Sequence, residues 1–67
     1  MSLIIVNGQK WLAKHSVTLA QLLEELHYSG KRIAIERNGE IVPKSQYAQV
    51  FLAAGDRLEI IAAVGGG

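Results

Sequence analysis

The rhythm of apolar and polar residues changes several times along this chain, and each change predicts an element. Leu3, Ile4, Ile5 and Val6 form a short apolar run that stops at Asn7-Gly8, a dipeptide suited to the positive φ angles of a type I′ hairpin turn. Loose alternation over 9–14 predicts the returning strand. The period then changes. Leu19, Leu22, Leu23 and Leu26 fall at i, i+3, i+4 and i+7, the stripe of an amphipathic helix. Thr18 and Gln21 have capping-box spacing, and Val17 with Leu22 has that of a hydrophobic staple. Gly30 suits the residue just past a helix, so the predicted helix spans 19–28.

Beyond the helix, 33–37 reads as a strand and Asn38-Gly39 as a second hairpin turn. Ile41-Val42 returns and Pro43 stops it, because proline cannot donate to a ladder. The stretch 45–52 is ambiguous, with a short helical turn followed by an extended crossing as one reading. Gly55-Asp56 predicts a turn and 58–62 the last strand. One helix laid across one face of a mixed sheet makes a two-layer α+β domain. Alternation turns Ile4, Val6, Leu58 and Ile60 toward the helix, and Leu3, Ile5, Glu59 and Ile61 away from it. Apolar side chains thus stand on a sheet face that no helix covers, as partner surfaces often do.

Size and composition narrow the function. Sixty-seven residues make one small domain that buries about 60% of its unfolded surface, which leaves no room for a deep cleft. Apolar residues make up 49% of the chain, too many for a disordered one. Seven Lys and Arg against six Asp and Glu give a formal net charge of +1 with no basic run, so neither nucleic acid nor an anionic membrane is indicated. No apolar run approaches the ~20 residues of a membrane span. Met1-Ser2-Leu3 lacks the features of a signal peptide. Without cysteine there is no disulfide or thiolate metal site, and a cytoplasmic location is expected.

Catalytic chemistry is not visible. Asp56 reads as a turn residue, and Ser2, Ser16, Ser29 and Ser45 fall in expected loops or termini. His15 and His27 lie twelve positions apart and share no helix face, so no metal site is expected. His27 reads as a cation near a helix C-terminus and His15 as a loop residue. Glu24-Glu25 reads as a solvated helix face. Trp11 is a candidate partner anchor, with half-buried packing as the plain alternative. No catalytic residue is assigned, and the chain is expected not to be an enzyme.

The most distinctive stretch is Val64-Gly65-Gly66-Gly67. Glycine loses more backbone freedom on ordering than any other residue, so a run of three suggests a segment gripped by another protein, with a frayed terminus as the alternative. Glu59-Ile60-Ile61-Ala62-Ala63-Val64 carries one charge, unlike a polar linker. A two-layer α+β domain over 1–61 followed by a flexible tail over 62–67 is therefore expected.

This order of elements with a terminal Gly-Gly resembles the ubiquitin-like β-grasp proteins, and within them most closely the ThiS family of sulfur carriers in thiamine biosynthesis. The resemblance rests on Val6-Asn7-Gly8, Asn38-Gly39-Glu40-Ile41-Val42-Pro43, Gly55-Asp56-Arg57-Leu58-Glu59-Ile60 and Ala63-Val64-Gly65-Gly66-Gly67, and it covers nearly the whole chain. Tyr47 stands where the family often has a Trp after the Val-Pro step, and Gly65 is one glycine more than the family requires.

The resemblance implies a mechanism. A ubiquitin-activating-type enzyme would thread Val64, Gly65 and Gly66 beside its own ATP and Mg²⁺ and adenylate the Gly67 carboxylate. A persulfide sulfur donor would convert the adenylate to a thiocarboxylate, and a thiazole synthase would take the sulfur. This chain itself would bind no cofactor and no metal. Leu3, Ile5 and Ile61, with Trp11 as a further candidate, are the expected partner surface. The small sulfur-carrying subunit of molybdopterin synthase, a ubiquitin-like modifier and a plain interaction module remain alternative readings.

Overall fold

Two hairpins, one helix and a last strand appear in the order β1 (Ser2–Val6), β2 (Gln9–Ala13), α1 (Leu19–Glu25), β3 (Ile33–Arg37), β4 (Glu40–Ile41) and β5 (Arg57–Ala62). The computed structural model describes residues 1–62. Both Asn-Gly turns are type I′: φ is 50° at Asn7 and 80° at Gly8, 52° at Asn38 and 88° at Gly39. The strands form one mixed sheet in the order β2-β1-β5-β3-β4. The last strand in sequence is thus the central one. It runs parallel to β1 and antiparallel to β3.

Ile4, Val6, Ile35, Leu58 and Ile60 line one sheet face and pack against Leu19, Leu22 and Leu23 of α1. The opposite faces of β1 and β5 carry Leu3 and Ile61, 41% and 58% exposed. Alternation therefore runs as the residue pattern predicts. This two-layer arrangement is the ubiquitin-like β-grasp fold. Among the described residues no helix is long and apolar enough to cross a membrane.

The start of α1 leaves no N–H idle. Thr18 and Gln21 close the capping box, Gln21 N donating to Thr18 Oγ1 and Thr18 N to Gln21 Oε1. Leu19 N and Ala20 N donate to the carbonyls of Val50 and Tyr47. Those two carbonyls settle what the ambiguous stretch does. It forms a 3-10 turn at Lys44–Gln46 and then crosses the helix N-terminus, bridging Phe51 to Thr18.

The helix ends earlier than 28. Leu26 is its C-cap, and His27, at φ 65°, takes the left-handed position assigned above to Gly30. His27 N donates to Glu24 O at 3.1 Å and Tyr28 N to Leu23 O at 2.8 Å, the two bonds of a Schellman motif. Tyr28 is drawn back onto the core beside Leu23. That contact outweighs the cost of a left-handed histidine, a residue that tolerates this region better than most. Gly30, at φ 80°, serves the turn into β3 instead.

Candidate functional site

The strand that leads to the glycines is fastened at both ends by residues from the two hairpin turns. At its start, Asn38 Oδ1 accepts from Arg57 N at 2.9 Å, and Asn38 N donates to Arg57 O at 2.8 Å. At its far end, Asn7 Oδ1 accepts from Ile60 N at 2.7 Å, and Asn7 Nδ2 donates to Ile60 O at 3.3 Å. The turn chemistry of Asn-Gly is legible in sequence; these sideways reaches to β5 are not, since fifty-three positions separate Asn7 from Ile60.

Asp56 is the other residue that local reading misplaces. It is more than a turn residue: it is buried, and its carboxylate is the hub of the loop before β5. Oδ2 accepts from Ala53 N at 2.8 Å and from Arg37 Nε at 3.0 Å, and pairs with the Arg37 Nη2 at 2.9 Å; Oδ1 accepts from Asn38 Nδ2 at 3.0 Å. Burial alone would raise this carboxyl, but the Ala53 N–H, the Asn38 amide and the Arg37 guanidinium together hold it below its usual 3.8. The arrangement orients a turn and a strand. With its donors already engaged and no nucleophile beside it, it has no catalytic geometry.

The open sheet face carries three of the four expected surface residues, but at two separate ends. Ile5 is level with Arg57 across β1 and β5; Leu3 lies two residues back from that rung and Ile61 four beyond it, about 20 Å apart along the strands. Leu3, Ile5 and Leu12 cluster at one end, since Leu3 pairs with Leu12. Ile61 pairs with Ala34 at the end from which the chain continues. Arg57 and Glu59 lie between them. Trp11 is not on this face. It pairs with the buried Ile4 and packs half-buried against the core on the helix side, near Leu26 and Tyr28.

Val64, Gly65, Gly66 and Gly67 lie outside the described residues. The strand preceding them runs through Ala62, which pairs with Ile33. Beside that rung is a cleft of about 240 Å³ bounded by Leu23, Tyr28, Ile33, Lys44 and Tyr47, below the roughly 300–1,000 Å³ of typical ligand sites. Among the described residues no three of His, Cys, Asp and Glu come together as a metal site.

Known proteins resemble this chain in sequence and in fold. The sequence matches the ThiS family over residues 3–67. It is 39% identical to the sulfur carrier protein ThiS of Bacillus subtilis, with 92% of this chain and 96% of that protein covered. Against the thiazole synthase of Paramagnetospirillum magneticum it is 48% identical over 64 residues, 96% of this chain. The chain spans only 20% of that thiazole synthase and of the one from Magnetococcus marinus. The crystal structure of the thiamine biosynthesis protein ThiS from Geobacter metallireducens superimposes with a TM-score of 0.81 at 25% identity, covering 97% of this chain and 99% of that one. Fold, length of match and the glycines inside the matched range agree, and the chain belongs to the ThiS family, the sulfur carriers of thiamine biosynthesis.

Proposed function

We propose that this protein carries sulfur as a thiocarboxylate on Gly67 and donates it for thiazole formation. The observation that carries the reading is the ThiS-family match through residue 67, which takes in all three terminal glycines. A ubiquitin-activating-type enzyme holds ATP and Mg²⁺ and receives the tail that follows Ala62, the last residue of β5, while the sheet and helix supply the docking domain. An oxygen of the Gly67 carboxylate attacks the α-phosphorus of ATP, and pyrophosphate leaves with the electrons of the broken P–O bond. The terminal sulfur of a persulfide then displaces AMP from the acyl carbon. A second thiol cleaves the remaining S–S bond and leaves the thiocarboxylate.

Glycines suit this chemistry, because the carboxyl carbon is approached from several sides and a Cβ at position 66 would obstruct the path. Drawn out at ~3.3–3.6 Å per residue, 63–67 reaches roughly 17 Å, enough to enter a buried nucleotide site. The chain binds no cofactor of its own and acts as a co-substrate, not a catalyst. A cytoplasmic setting suits a chain without cysteine. Thiazole synthase is the proposed acceptor, a reading supported by the 48% identical stretch within the Paramagnetospirillum magneticum enzyme.

Intact mass tests the function directly. After incubation with the activating enzyme, ATP and a persulfide donor, the protein should gain the difference between one sulfur and one oxygen, localised to Gly67. An unchanged mass, or an isopeptide to a lysine, overturns the reading.

The open sheet face is the proposed docking surface for the activating enzyme, with Ile61 nearest the tail. Ile61 is 58% exposed, so Ile61→Asp should leave the melting temperature almost unchanged. Placing a charge in the contact should weaken binding about tenfold or more, as titration calorimetry would read. Unchanged affinity moves the contact to another surface, with Trp11 next to be tested.

A further inference from the structure

We propose that Asn7 is the positioning residue for the tail, the side chain that fixes where the chain leaves the domain. The inference rests on the function proposed above and goes beyond it by assigning a role to a residue far from Gly67 in sequence. The main chain of β1 ends its pairing at Val6, level with Leu58, and Asn7 N donates to Leu58 O at 2.9 Å. There the backbone turns away into the type I′ hairpin, with Asn7 at φ 50°. β5 runs on to Ala62. Ile60, the next residue to face β1, would lose its partner at this point. The Asn7 amide takes the place of the missing strand: it accepts from Ile60 N at 2.7 Å and donates to Ile60 O at 3.3 Å, as a backbone peptide would.

On its other edge β5 stays paired with β3 as far as Ala62 and Ile33. Among the described residues the Asn7 side chain is therefore the last fastening on the β1 edge, and without it the strand end can pivot about its pairing with β3. Asn7 is exposed but its two bonds to the buried Ile60 are part-buried, so their loss lowers stability as well as freeing the strand end. What they also hold is direction. Where the activating enzyme holds the tail fully extended there is no slack, and a tilt of about 10° at Ile60 would then displace Gly67 by roughly 4 Å. Attack on ATP needs the reacting atoms within about 3–3.5 Å, and even a 1 Å misplacement can cost about a hundredfold.

The test is Asn7→Gly, which removes the amide but accepts the positive φ of the turn without strain. Amide exchange at Ile60 should accelerate at least about tenfold. In pyrophosphate exchange with the activating enzyme, kcat should fall about tenfold or more with KM unchanged. Asn7→Asp keeps an oxygen to accept from Ile60 N and should return kcat to within about threefold of the wild type. Thr18→Ala, which loses the helix cap far from the tail, serves as the control for lowered stability alone.

An equal fall in kcat in the Thr18→Ala protein makes Asn7 merely structural and overturns the proposal. So does an unchanged kcat in Asn7→Gly when Ile60 exchange has accelerated, while the sulfur-carrier reading stands. A wild-type protein that forms no adenylate overturns that reading, and this inference with it.

Discussion

A chain lacking Gly66 and Gly67 is expected to melt within about 2 °C of the intact protein and to form no adenylate. The core explains the first half. Every buried apolar residue among those described lies between Ile4 and Ile60, and the central strand finds its last cross-strand partner at Ala62. Removing two residues beyond that point leaves every one of these core side chains in place. The second half follows from the proposed chemistry, since the reacting carboxylate is displaced by two residues, or roughly 7 Å of extended chain. Gly66→Leu keeps the length and should still lower adenylation below about a hundredth, because a branched side chain blocks the path beside the acyl carbon. Thermal melts and pyrophosphate exchange on the three proteins check both halves. A drop of more than about 5 °C on deletion would mean the glycines contribute to the fold, and residual adenylation of the shortened chain would move the chemistry away from Gly67.

The elements of this fold are local in origin, which is why they were readable. Each hairpin turn is an Asn-Gly, the helix start is a capping box with a leucine stripe behind it, and alternation in β1 and β5 assigns the two sheet faces. Where local rules competed, tertiary contact decided. Gly30 is the better left-handed residue in isolation, yet the pull of Tyr28 toward Leu23 gives the helix end to His27. The stretch 45–52 has no period of its own, because its path is set by the helix N–H groups that its carbonyls satisfy.

The candidate site divides in the same way. The glycines and the apolar outer residues of β1 and β5 are visible along the chain. That Leu3 and Ile61 stand at opposite ends of the sheet follows from the offset of β1 against β5, a register between strands more than fifty residues apart. That Trp11 lies on the helix side follows from its pairing with Ile4. Neither register is written in composition or spacing. Asp56 and Asn7 were hidden for the same reason: their turn roles are local, and their partners across the sheet are not.

Asp56→Ala should cost about 2–4 kcal/mol at neutral pH, a fall in melting temperature of about 15–30 °C for a domain of this size. The carboxylate is 8% exposed in its side chain, and the substitution removes the acceptor of three groups at once. Ala53 N is left without its bond, Asn38 Nδ2 loses its acceptor, and the Arg37 guanidinium loses its counter-charge. The loop then releases Asn38, which also holds Arg57 N at the start of β5.

The pH dependence identifies the charge as the cause. The folded carboxyl sits below the usual 3.8, so between the folded and unfolded values the unfolded chain binds more protons than the native one. The stabilisation is therefore fully present above 3.8 and is lost as pH falls through the lower, folded value. Urea unfolding of both proteins as a function of pH isolates this contribution, because the other carboxylates are common to the two. The gap between wild type and Asp56→Ala should be flat from about pH 7 to pH 5 and narrow below 3.8. A gap that stays constant into acid would assign the loss to packing, not to the paired carboxylate. A gap below about 1 kcal/mol at neutral pH would mean the loop before β5 holds its shape without this hub.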